Sequence, residues 1–504
     1  MEKTFIDEVN ISVFLTHIEI TPYKIGDCPE IERMMSKYDK ATHSWIPISL
    51  YIEDDTLYLP KGFSLTIIEK YFRGVPHKFT HCDINNTFKE GEALYPPKSR
   101  IQEDAINFLT SKDSFSYSAR YNQLGLNIDT GDGKTYSAVT AILKIKKKAI
   151  IITHQEKLKT QWIKTFKEMT TFDNSRLCNI SGTMVIDLIL GNEESKEYKK
   201  ATKQDKNGEY YDGADIYFVN HQTLNAYARI HGWKTIGELF KRIRVGIKVI
   251  DESHKFFENT FMIDCFTNTE KTFYLTATFG RSDDKELRIY NTAFSSVVRY
   301  GEETVFLDEK RKHINFVIVY FRSIPKNGTP IVRNSYGFSS YRYIDYELHE
   351  SNGALERVLK EILKKTEHLE GKTLVISPKT DSVDHFAEYI RDLTDKEVGT
   401  VYSKNGEELN KINLKKDIIS STVKSVGEGT DIKGLRVLIN LEPIGSKSLA
   451  DQVRGRLREY DSEKDTFLFY PVDITLKEPY NFLKRILPIM KKKCKKIITI
   501  RIDV

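Results

Sequence analysis

The residues whose types and spacing could do chemistry begin with Thr130-Gly131-Asp132-Gly133-Lys134-Thr135, which follows the apolar run Leu124 to Ile128. Gly131 and Gly133 let the backbone turn tightly enough to aim several N–H groups at one point, a phosphate cradle at the start of a helix. In such a cradle Lys134 reaches the β- and γ-phosphates of ATP. The Thr135 hydroxyl completes the shell of Mg²⁺, a hard cation that takes oxygen ligands. The strict pattern has glycine at the first position, where this chain has Ile128.

A second group is Val249-Ile250-Asp251-Glu252-Ser253-His254, an acidic pair directly after an apolar stretch. Downstream of a phosphate loop, Asp251 is expected to hold Mg²⁺ through water, and Glu252 to orient and deprotonate the attacking water. A solvated strand-end pair is the bland alternative, and the upstream loop decides against it. A third group is Gln452-Val453-Arg454-Gly455-Arg456-Leu457-Arg458, expected on a helix after Ser448. Its arginines spread around that helix, so one can stabilise charge on a transferring phosphoryl group. Gln102 carries an amide able to read a purine edge.

The elements that must position these groups follow from periodicity. From Leu124 onward, apolar strands (Ala149 to Thr153, Asp215 to Val219, Ile247 to Ile250, Phe273 to Thr278) alternate with helical patterns. Such alternation predicts a mostly parallel sheet with helices on both faces, its ligands at the carboxyl ends of the strands. A second set, with strands at Thr373 to Ser377, Ile418-Ile419, Val437 to Ile439 and Phe467 to Phe469, predicts a second α/β domain without a phosphate loop. ATP is then expected in a cleft between the two. Upstream, Ile11, Val13 and Leu15, continued after a break by Ile18 and Ile20, read as a half-buried strand. Ile52 to Leu59 reads as a hairpin turning at Asp54-Asp55, and Ser64 as a helix cap. Residues 323–343 read as an exposed insertion. The expected division is a small N-terminal α+β domain over 1–93, a first α/β domain over 94–305, and a second over 306–504.

Composition narrows the class. At 504 residues the chain is too long for one core. It is 40% apolar and 29% charged, with no apolar run of the roughly 18 residues that a membrane helix needs and no apolar leader after Met1. A cytoplasmic protein without membrane partners is expected. The five cysteines have no metal-ligand spacing, so no disulfide or zinc framework is implied. A net charge of +6 is too mild to argue for nucleic acid, although the clusters Lys144 to Lys148 and Lys491 to Lys496 could meet phosphates.

The ordered set resembles the motif series of superfamily 2 helicases over about residues 96–470. Gln102 is similar to their adenine-reading Q motif, Thr130 to Thr135 to Walker A, and Asp251-Glu252-Ser253-His254 to a DEAH-type Walker B. Thr276-Ala277-Thr278 resembles the motif that couples hydrolysis to domain movement. Thr422 with Gly427 to Asp431 resembles motif V, and Gln452 with Gly455-Arg456 motif VI. The resemblance implies two RecA-like domains in tandem, with Gly429, Asp431 and Gln452 also serving the nucleotide, and Arg456 as the arginine finger. The family usually places a second arginine where Glu459 stands here, which leaves Arg458 behind Arg456 as the alternative. It further implies backbone contacts to a bound strand from His154, Thr223, Ser377, Lys379 and Thr422. Within the superfamily, the N-terminal unit and Thr276 to Arg281 resemble the UvsW-type branch-migrating helicases of tailed phages. That implies a DNA partner, forked or branched, in a host cytoplasm. An RNA helicase and a nucleotide-switched scaffold without hydrolysis are the rivals.

Overall fold

A computed structural model describes residues 9–39, 43–47, 50–80, 82, 86–111, 122–128, 132–192, 214–253, 257–276, 284–301, 312–335, 337–426, 432–458, 460 and 464–503. They form two compact units, Met1–Glu303 and Thr304–Val504.

The first unit opens with β1 (Asn10–Val13), β2 (His17–Thr21), β3 (Ser36–Asp39), β4 (Ser44–Pro47), β5 (Tyr51–Glu53), β6 (Thr56–Pro60) and β7 (His77–Phe79). A five-stranded mixed sheet runs in the order β5-β6-β2-β1-β7, and β3 and β4 make a separate hairpin. The apolar alternation expected as one strand from Ile11 to Ile20 is two antiparallel strands, with Phe14 N donating to His17 O across the turn. The apolar positions change phase between Leu15 and Ile18, and that break is where the chain turns. The turn at Asp54-Asp55 is as expected: both residues have positive φ, 49° and 53°, which suits a two-residue hairpin loop. Ser64 precedes the helix Leu65–Tyr71, as expected, but its side chain makes no capping hydrogen bond.

Next comes a seven-stranded parallel sheet. Its strands are β8 (Gln123–Asn127), β9 (Ala149–Thr153), β10 (Leu177–Ile180), β11 (Ile216–Asn220), β12 (Ile247–Asp251), β13 (Lys271–Thr276) and β14 (Val298–Tyr300), in the order β10-β11-β9-β12-β13-β8-β14. β9 is buried along its whole length, as a strand covered on both faces must be. The N-terminal sheet shares its core with this layer. Ile11, Ile18, Leu57 and Leu59 belong to the same apolar cluster as Phe261, Tyr290 and Phe294, and the Tyr58 and Phe266 ring centroids lie 4.4 Å apart. The basic run at Lys144 to Lys148 is partly structural: Lys147 pairs with Glu270 at 2.5 Å, and Lys148 donates to Ala214 O at 2.9 Å.

The second unit holds β15 (Ile314–Phe321), a small hairpin of β16 (Arg333–Asn334) and β17 (Gly337–Phe338), then β18 (Lys372–Ser377), β19 (Val398–Val401), β20 (Ile418–Thr422), β21 (Leu435–Asn440), β22 (Thr466–Asp473) and β23 (Lys496–Arg501). Its parallel sheet runs β19-β20-β18-β21-β22-β15-β23. The region expected as an exposed insertion is partly core: Val332 and Tyr343 are buried in a cluster with Tyr346 and Leu476. Tyrosines, counted there as loop residues, supply the packing. The helix Lys477–Lys493 contains Pro488, and its basic last turn complements the helix dipole. Among the described residues no helix is long and apolar enough to cross a membrane.

Candidate nucleotide site

The phosphate-loop strand β8 ends at Asn127, and the helix Lys134–Ile145 starts after Gly133, whose φ of +89° needs a residue without a Cβ. Lys134 Nζ donates to Ile128 O at 3.0 Å, so the ammonium spans the loop. Gln102 lies against it. Ser99 caps the helix Arg100–Thr110, and Gln102 Oε1 accepts from Lys98 N at 2.8 Å, which fixes the amide. A Cβ on Gly133 would sit 2.3 Å from Gln102 Nε2. Asp132 and Thr135 are half-buried beside the loop; Thr130 and Gly131 lie outside the described residues.

Two strands away, β12 ends at Asp251, and Glu252 turns out of it with φ +51°. Between them runs β13, whose buried Thr276 pairs in register with Asn127; Ala277 and Thr278 lie outside the described residues. Trp162 Nε1 donates to Asp251 Oδ2 at 2.8 Å. Burial and the adjoining Glu252 carboxylate push the Asp251 carboxyl up to about 6, against the Trp162 hydrogen bond and the positive charges of Lys134 and His154. Two adjoining carboxyl groups and a hydroxyl are hard oxygen donors of the kind a divalent cation carried by a polyphosphate takes, so the donor chemistry of Asp251 and Thr135 is compatible with Mg²⁺.

His154 follows β9 and is buried, and its carbonyl accepts from Gln222 Nε2 at 2.8 Å. A small cavity brings His154 and His221 together with Asp251, Glu252, Ser253 and Asn259. Burial pulls the His221 imidazole down to about 4, keeping it neutral at ordinary pH. Thr223 is half-buried in the first turn of the helix His221–His231. Trp162, His221 and Asn259 were not singled out from sequence for this site. Trp162 carries a signal, an indole N–H that needs an acceptor when buried, but nothing local in the sequence names that acceptor.

In the second unit Ser377 and Thr422 are register partners at the carboxyl ends of β18 and β20. Thr422 Oγ1 and Ser425 Oγ are 2.8 Å apart, the Ser377 hydroxyl meets that of Ser382, and Lys379 pairs with Asp345. Gly429 and Asp431 lie outside the described residues. The expected arginine helix differs in detail. It spans Lys447–Arg454, capped by Ser446 rather than starting after Ser448, and carries Gln452 half-buried. Arg454 is tied to Asp451 at 2.7 Å, and Asp451 also takes Lys493 at 2.7 Å. Arg456 and Arg458 lie beyond the helix end, half-buried and exposed respectively. The three arginines therefore do not share one helix, which ends at Arg454.

Residues 97–281 match the ResIII family profile, described as "Type III restriction enzyme, res subunit". No curated protein matches the chain in sequence. Among solved structures, an HsdR subunit fragment of a type I restriction enzyme from Vibrio vulnificus YJ016 is similar at 16% identity and a TM-score of 0.52, over 80% of this chain and 68% of that one. S. cerevisiae Dbp5 bound to RNA and ADP BeF3 is similar at 14% identity and a TM-score of 0.50, over 80% of this chain and 90% of that one. T4 UvsW aligns over 98% of this chain and 99% of its own at 16% identity, with a TM-score of 0.34, too loose to carry an argument. The profile covers part of the first unit, and the likeness to these solved structures is one of fold: two RecA-like parallel sheets in tandem.

Proposed function

We propose that this protein is an ATP- and Mg²⁺-dependent motor that moves on DNA, with forked or branched duplexes as its preferred substrates. The observation that supports the ATP reading is that Gln102, Gly133 and Lys134 meet at one loop, with Asp251 at the carboxyl end of a strand two places along the same sheet. The restriction-enzyme character of the matching profile and of the Vibrio neighbour supports DNA. An RNA substrate is the second reading, favoured by the likeness to RNA-bound Dbp5.

The cation, when bound with ATP, neutralises phosphate charge. The loop N–H groups and Lys134 bind the β- and γ-phosphates, and Gln102 meets the base. Glu252 orients the attacking water and takes its proton as the water oxygen bonds to the γ-phosphorus; the bond to the β–γ bridging oxygen breaks and ADP leaves. Arg456, with Gln452 beside it and Arg458 as alternative, supplies positive charge to the phosphoryl group in turnover. His154, Thr223, Ser377, Lys379 and Thr422 would hold a strand through its phosphates, so binding should weaken steeply as salt rises.

Steady-state ATP hydrolysis on single strands, linear duplex, forks, four-way junctions and RNA, with Lys134→Ala as blank, tests this reading. Stimulation by forks and junctions that vanishes in the blank is expected. Equal stimulation by all DNA removes the branch preference, stimulation by RNA alone moves the protein to the second reading, and no hydrolysis overturns both.

A further inference from the structure

We infer that Trp162 is a positioning residue for the acid pair, its indole N–H holding Asp251 in the rotamer that meets a nucleotide-bound cation. Trp162 sits in the middle of the helix Glu156–Met169, is 1% exposed, and packs in the apolar cluster between that helix and the parallel sheet. Packing alone would be served by a phenylalanine. An indole brings one donor and no acceptor, and a buried N–H without a partner is costly. Here its partner is Asp251 Oδ2, 2.8 Å away and 89 residues along the chain.

The consequence is chemical. With Oδ2 engaged by a rigid ring, Asp251 keeps Oδ1 for a cation or its water. Glu252, next in the chain, is left to the attacking water. Ordering of this kind, by a group that orients a metal-binding carboxylate without touching the metal, typically changes metal affinity or activity by about 10- to 100-fold.

This inference rests on the nucleotide-site reading, so the test separates the two. In the full chain, Trp162→Phe keeps the ring and deletes the donor. Binding of a fluorescent ATP analogue is titrated with and without Mg²⁺, next to parent and Lys134→Ala. The expected result is a variant that melts as one folded protein, binds nucleotide in EDTA within about twofold of the parent, and needs about 10-fold more Mg²⁺ for half-maximal enhancement. An unchanged Mg²⁺ requirement overturns the inference while leaving the site intact. Absence of Lys134-dependent binding in the parent overturns both. Should Trp162→Phe not fold, a Trp45→Phe/Trp233→Phe protein leaves Trp162 as the sole indole of the three in the chain. Its emission should then shift on adding Mg²⁺ with nucleotide but not nucleotide alone, and the shift should vanish in Asp251→Ala. Emission indifferent to Mg²⁺ overturns the assignment.

Discussion

Gly133 has two independent reasons to be glycine. Its φ of +89° strains any L side chain, at about 1–3 kcal/mol, and the space a Cβ needs is filled by Gln102 Nε2 at 2.3 Å. Gly133→Ala is therefore expected to lower the melting temperature and to weaken ATP binding by pushing the Gln102 amide away. Adding Gln102→Ala should recover part of the stability, because the clash goes, but not the binding. Nucleotide titration and thermal melts of the single and double variants check this; wild-type affinity in Gly133→Ala would show that the loop tolerates a side chain. That a glycine turn opens the helix at Lys134 and that an apolar strand ends at Asp251 was legible from residue type and spacing alone. Trp162 and His221 were not, because their roles depend on contacts across tens of residues that no local spacing encodes.

The central strands such as β9, β12, β18 and β21 announced themselves as continuous apolar runs, whereas β10, β14, β15 and β19 were not anticipated. Packing within irregular segments was not legible either. The stretch from Ser323 to Tyr343 is rich in Gly, Asn and Ser, yet it leads into a wide helical turn, Tyr346–Glu350, that buries Glu347 beside Asp473 at the end of β22. Asp473 accepts from Ser323 N at 3.2 Å and Thr475 N at 2.8 Å. Burial first, and the Asp473 carboxylate next, push the Glu347 carboxyl well above its ordinary range. In the unfolded chain that group ionises near pH 4.3, whereas in the fold it keeps its proton. Its contribution to stability is thus whole in acid and is lost as pH rises from there, by about 1.4 kcal/mol per unit until the folded group ionises. Glu347→Gln should melt higher than the parent at pH 8, with the gap closing towards pH 4.5. Parallel melting curves across that range would mean Glu347 is already ionised in the fold.

At the scale of the molecule, the N-terminal sheet and the first parallel sheet are one body. Besides their common apolar cluster, Asn122 Nδ2 donates to Leu15 O at 2.9 Å and Ser295 Oγ to Gly62 O at 2.6 Å. A Cβ at Gly62 would lie 2.5 Å from Ala293 O, which leaves no slack at the seam. Any DNA-reading role for the N-terminal sheet must then be carried out rigidly with the first RecA-like domain rather than on a tether. Deleting residues 1–80 should bare Phe261, Phe266 and Tyr290, giving a protein that binds hydrophobic dyes and aggregates on size exclusion. A monodisperse, dye-negative truncation would show that the seam is dispensable.

The strand order of the second sheet also sets a timetable. β15 is the first strand of its sheet to be synthesised, yet its two neighbours, β22 and β23, are the last. Until Asp473 has been made that apolar strand has no native partner on either side, and its second side stays open until Arg501, so it must be kept from finding a wrong one. The first unit, complete by Glu303, can fold while the second is still being made.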